Sequence, residues 1–251
     1  MIIASKGFRA SGRSGGALVG LAILLGTIGQ VWADDDFIVY SPHVVDGQSE
    51  IEMRGFTYSD ARPAFNQTGA FEVSVAHTFT SWWKVEYYAG EYNQGPTIGT
   101  QFAGQELENT FQLADAGEYW ADPGFLVSYI HSTIQGIPDG AEFGPLFEKQ
   151  VGRVLQRLNV LWDKSFWGPQ MGRYGFRTAY SAGYAITSTI VPGFEAYDRP
   201  IDHAHQIGPA FSGELHLGHG DELEYSTALL YGVNYGAPDK TLVMRMEYEF
   251  F

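Results

Sequence analysis

The sequence predicts an all-β fold, a closed antiparallel barrel of about 12 strands in up-and-down order, and three observations predict it. Segments with helical period are almost absent, while runs of about ten residues alternate apolar and polar side chains. Clusters of Gly, Pro, Asp and Asn separate those runs, and aromatic residues gather toward their ends. The composition agrees with a folded chain, since 251 residues with 45% hydrophobic, 15% aromatic and 18% charged side chains and 31 glycines are not the mix of a disordered polymer.

Taken in order, the chain begins with a segment that reads as a secretory leader, residues 1–33. Lys6, Arg9 and Arg13 form its basic part, Ala17 to Ile28 its apolar part, and Val31-Trp32-Ala33 a cleavage site. The apolar part is shorter than the roughly 20 residues of a spanning helix, so no transmembrane helix is expected. Residues 34–251 are then the barrel domain, and its charge is −17, from 12 basic against 29 acidic side chains. Such a balance argues against nucleic acid as a partner. The chain has no cysteine, which excludes thiol chemistry, Cys-based metal sites and a lipid-modified cysteine.

Strands are expected near 48–58, 70–80, 83–93, 104–113, 123–132, 142–151, 153–164, 172–181, 184–196, 204–217, 222–233 and 240–250. The last of these has the plainest pattern: Leu242, Met244, Met246, Tyr248 and Phe250 share one face, and Arg245, Glu247 and Glu249 the other. A soluble sandwich with one wet face would also alternate. Trp82, Trp83, Tyr87, Tyr88, Trp120, Tyr129, Trp162 and Trp167 tip the balance toward a membrane barrel, because rings at strand ends suit the headgroup level. Tyr248, Phe250 and Phe251 read as the insertion signal of a bacterial outer-membrane barrel, with the terminal Phe displaced by one residue.

The stretches His205-Gln206-Ile207-Gly208-Pro209-Ala210, Glu224-Tyr225, Leu230-Tyr231-Gly232, Ala237-Pro238-Asp239-Lys240-Thr241 and Glu247-Tyr248-Glu249-Phe250, with Glu108 to Leu113 and Glu142 to Leu146, carry a family resemblance. The chain resembles uncharacterised proteobacterial outer-membrane β-barrels, similar to the transporter-like barrels of the MetA-pathway-of-phenol-degradation type. The resemblance implies a bacterial outer-membrane location and a transport role. It carries no catalytic or substrate residues.

If Leu242, Met244 and Met246 face lipid, parity turns Arg245, Glu247 and Glu249 inward. The same rule places Arg153, Arg157, Asn159 and Asp163 inward on one strand and Arg173 and Arg177 on the next, with Glu72, Glu86, Glu106, Glu108, Glu222 and Glu224 on other walls. The opposite register would put Arg or Lys against lipid at about 2 to 4 kcal/mol each. Two interiors are compatible with these residues. One is a narrow passive channel for small polar or weakly amphipathic solutes, with the arginines facing acidic walls. The other is a non-conducting structural or surface-interaction barrel whose charges pair and fill it. A lipid-modifying enzyme is a third reading. It is disfavoured, because His131-Ser132 is the only adjacent His-Ser pair, its side chains point to opposite faces, and no Gly-x-Ser-x-Gly turn occurs.

His203, His205, His216 and His219 lie close together beside Asp202 and Asp221. His203 and His205 would share a strand face and are the candidate metal ligands; His216 and His219 have opposite parity, and no structural zinc spacing is present. Neither a metal nor a cofactor is expected. Acidic residues at turns, among them Asp115, Glu118, Asp122, Asp139, Asp198 and Asp239, predict a mild cation preference or binding of the divalent cations that bridge lipopolysaccharide. The expected partners are the lipid bilayer, lipopolysaccharide, the barrel-assembly machinery and small solutes.

Overall fold

The computed structural model describes residues 37–251; the expected leader, 1–33, lies outside them. Twelve strands form one closed antiparallel barrel in chain order: β1 (Ser49–Ser59), β2 (Gly69–Thr80), β3 (Trp83–Gly95), β4 (Gly99–Gln112), β5 (Asp122–Ser132), β6 (Gly140–Val151), β7 (Val154–Ser165), β8 (Arg177–Tyr184), β9 (Val191–Arg199), β10 (Ala204–Gly218), β11 (Asp221–Gly232) and β12 (Lys240–Phe250). The ring closes where β1 meets β12, from Ser49 opposite Phe250 to Ser59 opposite Lys240. Closure leaves no free sheet edge, which is how a β-structure can satisfy every backbone group where water is absent. Among the described residues no α-helix occurs. The end carrying Ser49 and Phe250 is called the near end below.

Alternation sorts the side chains as parity requires. On β12 Leu242, Met244 and Met246 are exposed outside, while Val243 and Glu247 are buried inside. Across the ring, Ile51, Met53, Val75, Phe79, Leu107, Tyr129, Phe194 and Ile207 also stand exposed, an inversion of the soluble arrangement. Aromatic rings cluster near both rims. Phe79, Trp82, Trp83 and Phe111 stack at the near end with centroids 5.3 to 6.3 Å apart, and Phe71 with Tyr92, and Tyr129 with Phe166, toward the far end.

Two strands begin later than expected. Gly168, Pro169, Gly172 and Gly175 interrupt the run before Arg177, so β8 starts there instead of near residue 172. Residues 185–190 likewise form a connection, and β9 begins at Val191.

At the far end a side-chain latch joins the loops that flank the closing seam. Arg62 donates from Nε and Nη2 to Asp60 (2.8 and 2.6 Å) and reaches the carbonyl oxygens of Tyr235 and Ala237. The amides of Arg62 and Asp239 also donate to Asp60, at 2.6 and 2.9 Å. The Arg62 guanidinium, with these amide bonds, outweighs burial and holds the Asp60 carboxyl well below its ordinary 3.8. A depressed carboxylate pKa contributes stability above the ordinary value and loses it as pH falls through the lower, folded-state value. Hydrogen exchange should therefore find the Arg62 and Asp239 amides protected down to about pH 3.8 and released only below it, whereas Asp60→Asn should lose about tenfold protection at neutral pH. Equal protection in both proteins would show that the latch does not hold the loops.

Candidate functional site: the barrel lumen

The interior is occupied by the chain's own residues 37–48, which precede β1. Phe37 packs edge-on to Phe56 and Tyr197 at 4.9 and 5.2 Å, and Val39 joins Ala179, Ala228, Leu230 and Val243. Ile38 and Tyr40 bury against Leu126, Leu146 and Leu161. These partners sit on the inward faces of β1, β5 to β9, β11 and β12, so the segment runs inside the ring. Asn159 holds it by the backbone: its Oδ1 accepts from the Tyr40 amide at 2.7 Å, and its Nδ2 donates to the Tyr40 carbonyl at 3.0 Å. Nearer the rim, Ser41 donates to Glu148 (2.9 Å), and the Val44 amide to Gln112 (3.0 Å). Gly47, at φ +79, turns the chain into β1. A bend at Pro42 separates the apolar stretch Phe37 to Tyr40 from the turn at Asp46 and Gly47.

One half of the wall around this segment is packed with ionisable groups. Glu50, Glu52, Glu72, Glu86, Glu106, Glu108 and Arg54 are all buried. Arg54 donates from Nε to Glu72 at 2.7 Å and from Nη1 to the Tyr88 hydroxyl at 2.8 Å, and its guanidinium lies 4.4 Å from that ring's centre. Lys84 donates to Glu50 (2.7 Å), and Ser74 to Glu86 (2.5 Å). Groups so withdrawn from water need close partners to hold a charge, and Glu50, Glu72 and Glu86 have them in Lys84, Arg54 and Ser74.

The opposite half is lined by small residues, Ser181, Gly183, Gly193, Ser212 and Ser226, and leaves a cavity of about 250 Å³ beside Phe37, Ile38 and Val39. Arg157, Glu195, Glu224 and Arg245 face it. A second cavity, about 290 Å³, lies toward the far end, between Glu91, Asp163, Arg173, Phe176 and Arg199. The two share no lining residue.

The residues expected to line the lumen separate into four groups. Arg157 and Arg245 face inward at the first cavity, Arg157 bonded to Glu148 at 2.7 Å and Arg245 paired with Glu52 and Glu247. Arg177, Glu106, Glu108 and Glu247 also face inward but are buried; Arg177 makes two 2.5 Å bonds to Glu142. Glu222, Glu224 and Glu249 stand in register near the near-end rim. Arg153 and Arg173 do not lie on strands as expected: Arg153 is exposed in the Gly152-Arg153 turn, where Gly152 at φ +61 reverses the chain, and Arg173 sits in the glycine-rich loop before β8, where it lines the far-end cavity. The inward arginines thus bond to carboxylates instead of forming a continuous basic strip.

Tyr248 and Phe250 lie outward and stack at 5.5 Å, and Phe251 follows them, exposed. His203 and His205 do not share a strand face. His203 caps the short 3-10 turn Pro200–Asp202 with φ 49, and His205 points outward beside Asp198. His131 likewise faces out, its Nδ1 3.0 Å from Asp139 Oδ1, away from the inward Ser132. Burial would raise the Asp139 carboxyl, but hydrogen bonds from Tyr129, His131 and the Ser132 amide outweigh it and lower its pKa.

No protein-family model and no curated protein sequence matches the chain. In structure it is similar to an outer-membrane channel from Pseudomonas putida F1, with 10% identity, 86% of this chain and 100% of that chain covered, and a TM-score of 0.56. Weaker likenesses are to the translocator domain of autotransporter NalP from Neisseria meningitidis (11% identity, 83% and 90% covered, TM-score 0.46) and to the CymD monoaromatic hydrocarbon channel (8%, 82% and 88%, 0.45). At such identities the first likeness establishes a shared barrel fold.

Proposed function

We propose that this chain is a bacterial outer-membrane barrel, exported by the leader 1–33, that acts as a passive channel for small polar or weakly amphipathic solutes and is closed in this conformation by residues 37–48. The observation that carries the reading is the pair of cavities, one toward each end, with the segment seated between wall residues in the middle of the lumen. The apolar exterior with aromatic rims supports placement in a bilayer, where lipid, lipopolysaccharide and the assembly machinery are the partners. A twelve-stranded ring is also wider than the eight-stranded case that side chains alone fill. The packed ionic half favours a second reading, a barrel that does not conduct and serves a structural or surface-interaction role.

Planar-bilayer recording of the refolded full chain separates them. Infrequent, discrete conductance steps are expected. Because Arg157 faces the cavity, Arg157→Glu should move the reversal potential toward cation selectivity by roughly 10 mV or more in a tenfold salt gradient. Steps of unchanged selectivity would take Arg157 off the path, and no steps in any variant, including those that unseat the lumen segment, would leave the structural reading.

A further inference from the structure

We propose that Glu214, His216 and Glu222 form a binding site for a divalent transition cation of the zinc class at the near-end mouth of the barrel. Glu214 and His216 are two apart on β10 and so share its inward face, and Glu222 is the direct cross-strand partner of His216 on β11. The His216 Nδ1 lies 2.9 Å from Glu214 Oε1 and 3.0 Å from Glu222 Oε1, and one ligand atom from each of the three residues lies within 4.8 Å of the others. Ligand atoms around a four-coordinate zinc with N and O donors stand roughly 3.3 Å apart, so small rotations admit the ion. The tight turn between β10 and β11, with Gly218, His219 and Gly220 all at positive φ, fixes the hairpin that brings the two strands' ligands together.

The surrounding charge supplies the second argument. Glu214 stands opposite Glu224, which stands opposite Glu247; Glu222 stands opposite Glu249, which stands opposite Glu50. Like charges directly opposed across strands repel. Arg245 pairs with Glu247, and Lys84 with Glu50, but among the described residues no lysine or arginine side chain forms a salt bridge with Glu214, Glu222, Glu224 or Glu249. One imidazole N–H can donate to only one of its two carboxylates at a time. A bound cation relieves both deficits, since it takes the place of that proton and neutralises the opposed carboxylates. The imidazole is what selects the class: Mg²⁺ and Ca²⁺ prefer all-oxygen sets, whereas a nitrogen with two carboxylates suits Zn²⁺, Cu²⁺ or Co²⁺. Such a site would bind its ion whether or not the barrel conducts.

The test is equilibrium binding of Zn²⁺ to refolded full chain in lipid-free detergent with Mg²⁺ in excess, together with the visible absorption of the Co²⁺-loaded protein. One ion per chain is expected, weakened about a hundredfold or more in His216→Ala and in Glu222→Gln and unaltered in His219→Ala and His205→Ala. Co²⁺ bands should vanish with His216→Ala. Heat-shifted gel mobility reports folding of each variant, and Glu214→Gln stands in for any that fails to close. Absence of stoichiometric binding, full displacement by Mg²⁺, or equal affinity in His216→Ala overturns the proposal.

Discussion

Replacing Asn159 with leucine should raise the population of barrels whose lumen segment is out of its seat by roughly thirty- to nine-hundredfold. Asn159 is fully buried and satisfies both backbone groups of Tyr40. Leucine has the same branching and number of heavy atoms but neither donor nor acceptor. Each buried backbone group left without a partner costs about 1 to 3 kcal/mol, so the seated state loses about 2 to 4 kcal/mol after partial relaxation. The apolar contacts of Phe37, Ile38, Val39 and Tyr40 remain, so the seated state stays populated and the effect appears as a shifted ratio. Two measurements read it. Single-channel recordings should show openings more often, and a Val39→Cys reporter, unambiguous because the chain has no cysteine, should react faster with a water-soluble maleimide. Parent and variant with the same opening frequency and the same labelling rate would mean that the clamp does not hold the segment.

The second large effect is on stability. Arg177→Met should destabilise the folded barrel by about 3 to 5 kcal/mol, because it leaves the Glu142 carboxylate buried without its guanidinium. Urea unfolding of the refolded protein, followed by gel mobility, measures the loss. Arg177→Met combined with Glu142→Gln should recover most of it, since a neutral amide tolerates the site better than an unpaired anion. Because Arg177 is buried whereas Arg157 is partly exposed to the cavity, a charge reversal at Arg177 would report on folding and one at Arg157 on selectivity. A single variant as stable as the parent would refute the assigned pairing.

Strand number, closure and parity were legible in the residues, and for a definite reason. On β12 a one-residue slip would exchange Leu242, Met244 and Met246 with Arg245 and Glu247, so the pattern permits one register only. Arg153 and Arg173 were expected on strands but lie in a turn and a loop, because parity counting assumes an unbroken strand and the glycines around them break it. The lumen segment was illegible for a different cause. Phe37-Ile38-Val39-Tyr40 is a short unalternating apolar run, and nothing local distinguishes a wall strand from a peptide inside the wall; the partners that decide it lie on β1, β5 to β9, β11 and β12. Asn159, a polar residue on a face expected to meet water, was a weak signal of a backbone to be held. For the mouth cluster, Glu214 and His216 could be seen to share a face, but the turn that sets Glu222 opposite His216 could not be counted from spacing.

The seam between β1 and β12 makes biogenesis an all-or-nothing event. Ser49 finds Phe250 only when everything between them has been laid down, so a partially assembled ring carries two raw edges that invite aggregation. Residues 37–48 sharpen this ordering. Because the ring is continuous, they must be captured while the gap is open or threaded afterward through one mouth, and the first route would make the peptide a template around which the last strands zip. Assembly intermediates trapped before the seam joins should reveal which history the molecule follows.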